Sequence, residues 1–244
     1  MQVLGIDIGG SGIKGAIVDV TEGKLVSERL RLPTEHPATP QSVANQLKTV
    51  IDEFGWQGPV GCGLPGVVQQ GVARTAANID DGWIGVDAQA LLSSATGCPI
   101  HLMNDADAAG LAEARFGAGR GQQGVVLMVT VGTGIGTALF ADGQLFPNTE
   151  LGHLIMNGIE AEHFASDRAR KQGGLDWPTW AARLDNVLHT YCDLLWPDLI
   201  ILGGGISKKP ERYLHLLTQR VPVVTATLLN QAGIVGAAVF ASEA

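Results

Sequence analysis

A strand, a glycine-rich turn and a second strand occur twice in this chain, and this repeat restricts the possible folds more than any other feature. The two copies run over residues 3–20 and 125–140, and each places two apolar strands around its glycines. Aligning the copies places Gly9 on Gly132. Because an internal repeat builds one structural unit twice, the sequence predicts two similar lobes that face each other across a cleft.

The rest of the chain alternates apolar strands with helices. Further strands are predicted at 24–31, 60–64, 100–103, 198–202 and 221–226. Helices are predicted at 41–54, 105–116, 161–172, 178–195, 210–220 and 232–241. This alternation indicates an α/β fold throughout. We expect an N-terminal lobe over 1–104, on which a C-terminal helix at about 231–244 packs back, and a C-terminal lobe over 105–230.

Composition argues against several classes of function. The net charge is −8, so no nucleic-acid surface is expected, and no apolar run approaches the roughly 18 residues of a membrane-spanning helix. The cysteines Cys62, Cys98 and Cys192 lack metal-ligand spacing, which favours free thiols in a reducing compartment. No signal peptide is recognisable. We therefore expect a cytoplasmic protein without nucleic-acid or membrane partners, and a homodimer because symmetric dimers are common.

The first glycine turn matches the pattern G-x-G-x-x-G between Gly10 and Gly15. A dinucleotide site needs a helix after these glycines, whereas a strand is predicted there, and no Walker A sequence occurs in the chain. Backbone N–H groups of a glycine-rich hairpin turn can still converge on an anion. A plain hairpin turn would explain either copy alone, but two such turns, each following a strand, favour phosphate binding.

Asp7 lies near the end of the first strand, close to the first glycine turn. A carboxylate beside a phosphate is repelled unless a cation lies between them, and Mg²⁺ favours one or two carboxylates together with phosphate oxygens. Asp7 is therefore a candidate Mg²⁺ ligand, directly or through water. The alternative role of Asp7 is to cap the turn.

Asn104 and Asp105 lie where a predicted strand is followed by a predicted helix. Either residue could cap that helix, and the acidic groups of its first turn, Asp105 and Asp107, suit the helix dipole. In the functional interpretation, Asp105 stays ionised and accepts a proton from an attacking hydroxyl group. These residues alone leave both interpretations open.

Glu150 and His153 follow a predicted turn and are close enough in sequence to contact one polyol. Carboxylates and imidazoles supply the acceptors and donors that sugar hydroxyls need. A solvated pair in an exposed loop is the simpler explanation of these two residues taken alone. Glu162 begins a predicted helix and could equally cap it.

In their order and spacing, these elements resemble the motifs of the ROK family of sugar kinases and repressors, within the actin-like ATPase (ribonuclease H-like) fold. The resemblance spans nearly the whole chain. The matching segments are Asp7–Lys14, Leu64–Gly66, Asn104–Asp105, Val131–Gly136, Glu150–His153 and Gly203–Ser207.

The resemblance implies roles for individual residues. Asp105 would be the catalytic base. The residues that would contact the sugar are Gly66, Asn78, Asn104, Glu150, His153 and Glu162. The residues that would contact phosphate are Asp7, Gly9, Gly10, Ser11, Gly12, Lys14, Thr130, Gly132, Thr133, Gly134, Gly203, Gly204 and Gly205. The last three would lie on the nucleotide side.

One departure from the family pattern indicates which branch of the family the chain resembles. Many family members carry a cysteine-rich zinc motif soon after the Glu-x-Gly-His element, whereas residues 159–166 contain no cysteine, so no zinc site is expected. In this respect, and over residues 195–209 and 229–238, the chain resembles the polyphosphate glucokinase branch of the family.

The resemblance therefore implies a glucokinase that transfers a phosphoryl group from inorganic polyphosphate, or from ATP as a second donor, to the 6-hydroxyl of glucose with Mg²⁺. A strictly ATP-dependent glucokinase or mannokinase is the alternative in the same class. A sugar-sensing repressor would need a helix-turn-helix and a basic patch, and neither is predicted. A sugar-binding module without catalysis would not need Asp105.

Two groups of basic residues stand out in this acidic chain. They are Arg168, Arg170 and Lys171, and Lys208, Lys209 and Arg212. Each group could be an ordinary solvated surface or could line a track for a long polyanion such as polyphosphate.

Overall fold

Fifteen strands and seven α-helices make up the fold, in a computed structural model that describes residues 1–244. The strands are β1 (Gln2–Gly9), β2 (Gly12–Asp19), β3 (Lys24–Leu25), β4 (Leu30–Leu32), β5 (Val60–Leu64), β6 (Val68–Gln69), β7 (Val72–Ala73), β8 (Ile100–Asn104), β9 (Val125–Val131), β10 (Ile135–Ala141), β11 (Gln144–Phe146), β12 (Ile155–Met156), β13 (Ile159–Glu160), β14 (Leu199–Gly203) and β15 (Val223–Thr225). The α-helices are α1 (Pro40–Glu53), α2 (Ala88–Thr96), α3 (Asp105–Phe116), α4 (Ala161–Ala165), α5 (Asp167–Gln172), α6 (Trp177–Leu195) and α7 (Ala232–Ser242).

The chain divides into two units. Unit 1 comprises Met1–Ala112 and Gln231–Ala244, and unit 2 comprises Glu113–Asn230. The chain passes from unit 1 into unit 2 within α3, and it returns to unit 1 just before α7. No helix of the protein combines the length and the apolar character that crossing a bilayer requires.

The main sheets of the two units have the same strand order. In unit 1 the order is β3-β2-β1-β5-β8, with β4 also paired to β2, and in unit 2 it is β11-β10-β9-β14-β15. Each sheet contains an antiparallel hairpin, β1–β2 or β9–β10. Two further strands, β5 and β8 or β14 and β15, lie beyond the first strand of the hairpin and run parallel to it. The two similar lobes predicted from the repeated strand–turn–strand sequence are thereby confirmed.

Glycines allow helix α7 to lie directly on the backbone of unit 1. A Cβ atom at Gly5 would overlap the carbonyl of Ile234, and one at Gly61 would overlap the carbonyl of Ala237. In the reverse direction, a Cβ atom at Gly236 would overlap the carbonyl of Ala108 on α3. Because α7 is buried along most of its length, its residues are apolar on every side.

Unit 2 has its core between its sheet and helix α6. Trp180 and Tyr191 on α6 are fully buried among apolar residues of β9 and β14. The indole N–H of Trp180 donates to the carbonyl of Ala165 at 2.9 Å, and the hydroxyl of Tyr191 donates to the carbonyl of Leu151 at 2.8 Å. These two bonds attach α4 and the 151–153 turn to the core.

Most predicted elements are confirmed, but the helix predicted at 210–220 is wrong. Residues Pro210–Arg212 and Leu214–Leu216 form two short 3-10 turns, separated by Tyr213, whose φ of −144° is not helical. Tyr213 is fully buried, and its burial against Trp177 and Trp180 is the packing that replaces a regular helix here.

Other elements also differ from the prediction. The helix predicted at 161–172 divides at Ser166, which is extended and caps α5 by accepting from the N–H of Ala169. The strand predicted at 24–31 is two short strands, β3 and β4. Helix α2 was not predicted, although Asp87 caps its start and Gly97 ends it in a left-handed conformation.

Candidate active site

A row of charged residues crosses the sheet of unit 1 beside the first glycine turn. Asp7 on β1 is the register partner of Lys14 on β2, and Lys14 is the register partner of Arg31 on β4. Residues paired in this way have Cβ atoms about 4.5–5.5 Å apart on one face. Lys14 Nζ lies 2.7 Å from Asp7 Oδ2. The row therefore offers two cations and one carboxylate next to the turn.

The other register partner of Asp7 is Gly63 on β5. A Cβ atom at Gly63 would lie 3.3 Å from the Cα of Asp105, so the start of α3 approaches this strand closely. Only one strand, with no side chain at this position, separates Asp7 from Asp105. The residue implied as metal ligand and the residue implied as base thus belong to one region of unit 1.

The first glycine turn is packed tightly on two sides. Gly9 pairs with Gly12 at the end of the β1–β2 hairpin, and a strand follows the turn, as the prediction against a dinucleotide site required. A Cβ atom at Gly10 would lie 2.5 Å from the carbonyl oxygen of Asn78, which itself has a left-handed backbone with φ 60°. Asn78 therefore supports the turn through its backbone.

Arg31 and Thr34 hold the turn from the other side. The guanidinium of Arg31 donates to the carbonyl of Ser11 at 3.0 Å, and the hydroxyl of Thr34 donates to the carbonyl of Gly9 at 2.5 Å. A Cβ atom at Gly12 would lie 2.9 Å from Arg31 Nε. Arg31 was not among the predicted site residues, because only strand pairing brings it to a turn twenty residues earlier.

Asn104 caps helix α3, and Asp105 is the first residue of the helix. The side-chain oxygen of Asn104 accepts from the N–H groups of Ala106 at 2.8 Å and Asp107 at 3.0 Å. Its side-chain nitrogen donates to the carbonyl of Gly66 at 3.0 Å. Of the two capping candidates, Asn104 accepts the capping bonds, so the carboxylate of Asp105 lies where the helix dipole favours negative charge.

Gly66 requires a conformation that other residues avoid. Its φ is +151°, and a Cβ atom there would overlap the carbonyl of Thr75. The hydroxyl of Thr75 accepts from the N–H of Val67 at 2.8 Å. The loop after β5 is thereby held against Asn104, and the structure brings Gly66, Asn104 and Asp105 together in unit 1.

In unit 2, three carboxylates surround His153. Nε2 of His153 lies 3.4 Å from Oε2 of Glu150, and Nδ1 lies 3.2 Å from Oε2 of Glu160. Ligand atoms of His153, Glu160 and Glu162 all lie within 4.8 Å of one another, a spread that could accommodate a metal ion. The structure thus brings together Glu150, His153 and Glu162, and it adds Glu160, which was not predicted.

The electrostatic effect on His153 is the sum of opposing contributions. Burial lowers the pKa of the imidazole, but the hydrogen bond to Glu160 and the negative charges of Glu162 and Glu150 raise it by more. The net result is a pKa above the ordinary value for histidine. The three nearby carboxylates thus make the ring easier to protonate than a free imidazole.

The second and third glycine clusters meet at the end of β9. The N–H of Gly132 donates to the carbonyl of Gly134 at 3.0 Å, and a Cβ atom at Gly134 would overlap the carboxylate of Glu162. Gly204 has φ 75°, and a Cβ atom there would lie 2.5 Å from the carbonyl oxygen of Val131. Gly203 is the register partner of Thr130.

The neighbouring predicted residues lie in the same two clusters. Thr130 uses its hydroxyl to donate to the carbonyl of Gly136 at 3.3 Å. Thr133 lies between Gly132 and Gly134 in the second turn, and Gly205 begins a 3-10 turn that follows β14. All phosphate residues predicted in the second half of the chain therefore lie in one region of unit 2.

Comparison with known proteins identifies the family. Residues 3–174 match the model of the ROK family. The chain belongs to the ROK family. It is 50% identical over 235 residues to the polyphosphate glucokinase of Mycobacterium tuberculosis (strain ATCC 25618 / H37Rv), a match that covers 96% of this chain and 89% of that protein.

Solved structures of ROK proteins have the same fold. The inorganic polyphosphate/ATP-glucomannokinase from Arthrobacter sp. strain KM has a TM-score of 0.96 and 49% identity, with 100% of this chain and 99% of that chain covered. A ROK family glucokinase from Streptomyces griseus, solved with glucose and AMPPNP, has a TM-score of 0.84, 24% identity and full coverage of both chains, and shows the fold alone. The predicted two-lobed actin-like ATPase fold is confirmed.

Two of the predicted basic residues of this ROK chain are paired with an acidic neighbour. Arg170 Nε lies 2.9 Å and Lys171 Nζ 2.7 Å from carboxylate oxygens of Asp167, and the Arg170 guanidinium stacks 4.2 Å from the Trp177 ring. Hydrogen bonds from Lys171 and Arg170 lower the pKa of Asp167 against the larger single contribution of burial, which raises it. Part of the positive charge at 168–171 is thus already compensated.

Proposed function

We propose that the protein is a glucokinase that transfers a phosphoryl group from inorganic polyphosphate, and also from ATP, to the 6-hydroxyl of glucose. The observation that carries this function is 49–50% identity, over nearly the whole chain, to polyphosphate glucokinases and to a polyphosphate/ATP-glucomannokinase. Local geometry agrees with it, because within each unit the predicted residues lie close to one another.

On the acceptor side, Asp105 would act as the general base. It accepts the proton of the 6-hydroxyl while that oxygen attacks the terminal phosphorus of the donor, and the bond from phosphorus to the bridging oxygen breaks. Asn104 supports this role because its capping bonds and its bond to Gly66 fix the first turn of α3. Glu150, His153 and Glu162 would then bind sugar hydroxyls, as donors and acceptors held in place by their mutual contacts.

On the donor side, the two hairpin turns and the third glycine cluster would contact phosphate oxygens through backbone N–H groups. Asp7 suits a Mg²⁺ ion because a single carboxylate beside an anion-binding turn matches the preference of this ion for carboxylate, water and phosphate oxygens. When bound, the ion would offset negative charge on the transferring group. Lys14 and Arg31 supply fixed positive charge beside the same turn.

Further properties belong to the same proposal. We expect activity to require Mg²⁺ or Mn²⁺, and we expect no cysteine-ligated zinc because residues 159–166 contain no cysteine. A cytoplasmic location agrees with the three free cysteines, all buried thiols. A homodimer without nucleic-acid or membrane partners is expected on general grounds.

Mannose is a second acceptor candidate, because the Arthrobacter relative is described as a glucomannokinase. The deciding experiment measures initial rates with glucose and mannose, each with polyphosphate and ATP, in the presence of Mg²⁺. We expect the highest kcat/KM with glucose and polyphosphate. Turnover with ATP but none with polyphosphate would show that the protein is a strictly ATP-dependent kinase. No turnover with either donor would refute kinase activity.

Salt dependence distinguishes a polyphosphate track from a single phosphate site. Because a long polyanion neutralises more cations than ATP does, its KM should rise more steeply between low and physiological salt. The variant Lys208→Ala plus Lys209→Ala should reduce this difference. The matched control, Lys24→Ala plus Lys48→Ala, removes two exposed lysines of unit 1 that pair with acidic neighbours and should leave the difference unchanged.

A further inference from the structure

Nδ1 of the His153 imidazole, the ring nitrogen turned away from Glu150, is bound by a carboxylate to which no sugar contact is assigned. Oε2 of Glu160 lies 3.2 Å from Nδ1, while Oε2 of Glu150 lies 3.4 Å from Nε2. We propose that Glu160 is a positioning residue that holds His153 by its Nδ1 atom, so that Nε2 is presented to the hydroxyl group of the acceptor.

The side chain of Glu160 has no competing structural role at its position. Glu160 immediately precedes α4, where a side-chain cap would be usual, yet it makes no capping hydrogen bond. It is partly buried, and besides His153 its nearest ionic neighbour is His163, whose Nδ1 lies 3.7 Å away. The carboxylate is therefore directed at imidazole groups and not at the helix terminus.

A tight hairpin fixes the place of Glu160. Strands β12 and β13 pair with Ile155 opposite Glu160, and the two residues between them, Asn157 and Gly158, both have positive φ, of 52° and 82°. Two positive φ values and an Asn-Gly sequence are the requirements of a type I′ turn, which sets the register of a hairpin. A slip of one residue would turn Glu160 to the opposite face, away from His153.

The chemistry follows from the two nitrogens of imidazole. A neutral ring has one N–H donor and one lone pair, and the position of the proton is set by what the other nitrogen contacts. A carboxylate can only accept, and Glu160, at 3.2 Å from Nδ1, is nearer to the ring than Glu150, at 3.4 Å from Nε2, so the neutral ring retains its proton on Nδ1. Nε2 then faces the acceptor as a lone pair in the neutral ring and as a donor in the imidazolium, with the same ring orientation in both states.

The tautomer is testable without any assumption about activity. In ¹⁵N-histidine-labelled full-length protein, long-range ¹H–¹⁵N spectra should show His153, assigned with His153→Asn, protonated at Nδ1 when neutral. In Glu160→Ala this preference should be lost while the imidazole signals of His36, His101, His189 and His215, which do not contact Glu160, stay in place and establish that the variant is folded. A wild-type ring protonated at Nε2, or one unaffected by Glu160→Ala, would overturn the proposal.

The consequence for sugar binding rests on the proposed function and has a separate readout. Glu160→Ala should raise the KM for glucose by about 10–100-fold, the range known for losing a carboxylate that orients a metal-ligating histidine, with the KM for polyphosphate unchanged. Glu160→Gln retains an acceptor oxygen and should recover most of this loss. The control is His189→Ala, which removes an imidazole paired with a different carboxylate, Asp185, at 3.6 Å and should leave the KM for glucose unchanged.

Two results would count against a positioning role. Equal KM increases in Glu160→Gln and Glu160→Ala would show that the orienting hydrogen bond is not what matters. One equivalent of zinc in the purified wild type that is lost in Glu160→Ala would make Glu160 a metal ligand. If no sugar is phosphorylated at all, the proposed function fails while the tautomer measurement still decides the orientation.

Discussion

Replacing Glu113 by alanine should destabilise unit 2 by an amount that the structure allows us to estimate. Glu113 is fully buried at the end of α3. Its Oε1 accepts from the N–H of Leu228 at 2.7 Å, and its Oε2 accepts from the N–H of Ala118 at 2.8 Å and from the hydroxyl of Thr227 at 3.2 Å. One carboxylate thus connects the loop after α3 to the segment after β15.

The magnitude follows from the donors left without an acceptor. Each hydrogen bond to a charged group contributes about 1.5–3 kcal/mol, and the two backbone N–H groups of Ala118 and Leu228 cannot rotate to another partner. Taking the lower value for both, the loss is about 3 kcal/mol, which corresponds to a fall in Tm of about 6–12 °C for a chain of this length. The hydroxyl of Thr227 adds little because it is free to turn towards water.

The assay is urea and thermal unfolding followed by circular dichroism, with wild type, Glu113→Ala and Thr227→Val compared. Thr227→Val removes only the hydroxyl donor and should lose less than about 1 kcal/mol. Gly117→Ala provides an independent perturbation, since a Cβ atom there would overlap Oε2 of Glu113. A loss below about 1 kcal/mol in Glu113→Ala would refute the reasoning, because the partly buried N–H groups would then have found other partners, water included.

Three other outcomes are expected. Asp105→Asn should lower kcat by about 10²–10⁴-fold with a much smaller change in glucose affinity measured by calorimetry, and a near wild-type kcat would limit Asp105 to a structural role. Glu150→Gln should raise the KM for glucose more than that for the donor, and an unchanged KM would remove Glu150 from the sugar site. Since the pKa of Asp167 is lowered in the folded state, its contribution to stability should be present above the ordinary carboxyl pKa of about 4 and disappear as pH falls through the lowered value. Stability curves of wild type and Asp167→Asn should therefore converge in acid, and a constant separation down to pH of about 2 would contradict this.

Local signals explain which elements could be predicted from the sequence. Helix α3 was predicted with its observed bounds because Asn104 caps its start and Gly117 follows its end. The segment 210–220, which was wrongly predicted as a helix, contains apolar residues at helical spacing. In the structure the ring of Tyr213 stacks on the ring of Trp177, with 6.1 Å between the two ring centroids. Packing against a residue distant in sequence outweighed local periodicity there.

The site residues likewise divide into those that local sequence signals indicate and those that only contacts between distant segments bring to the site. Glu150 and His153 could be paired from their spacing alone, and the repeat indicated where both glycine turns lie. Arg31 reached the first turn through strand pairing, and Glu160 reached His153 through the register of a two-residue hairpin. Neither residue carries a local motif, so neither could be assigned before the backbone arrangement was known.

The direct seating of α7 on the glycines of unit 1 has a consequence for biosynthesis. Residues leave the ribosome in order, so all of unit 2, Glu113–Asn230, emerges before the helix that covers Gly5 and Gly61. Until α7 arrives, the first sheet exposes bare backbone along β1 and β5, with no side chains at these glycines to shield it. Unit 2 can fold as a continuous segment during translation. Unit 1 begins to be synthesised first but completes its fold last, because it needs α7.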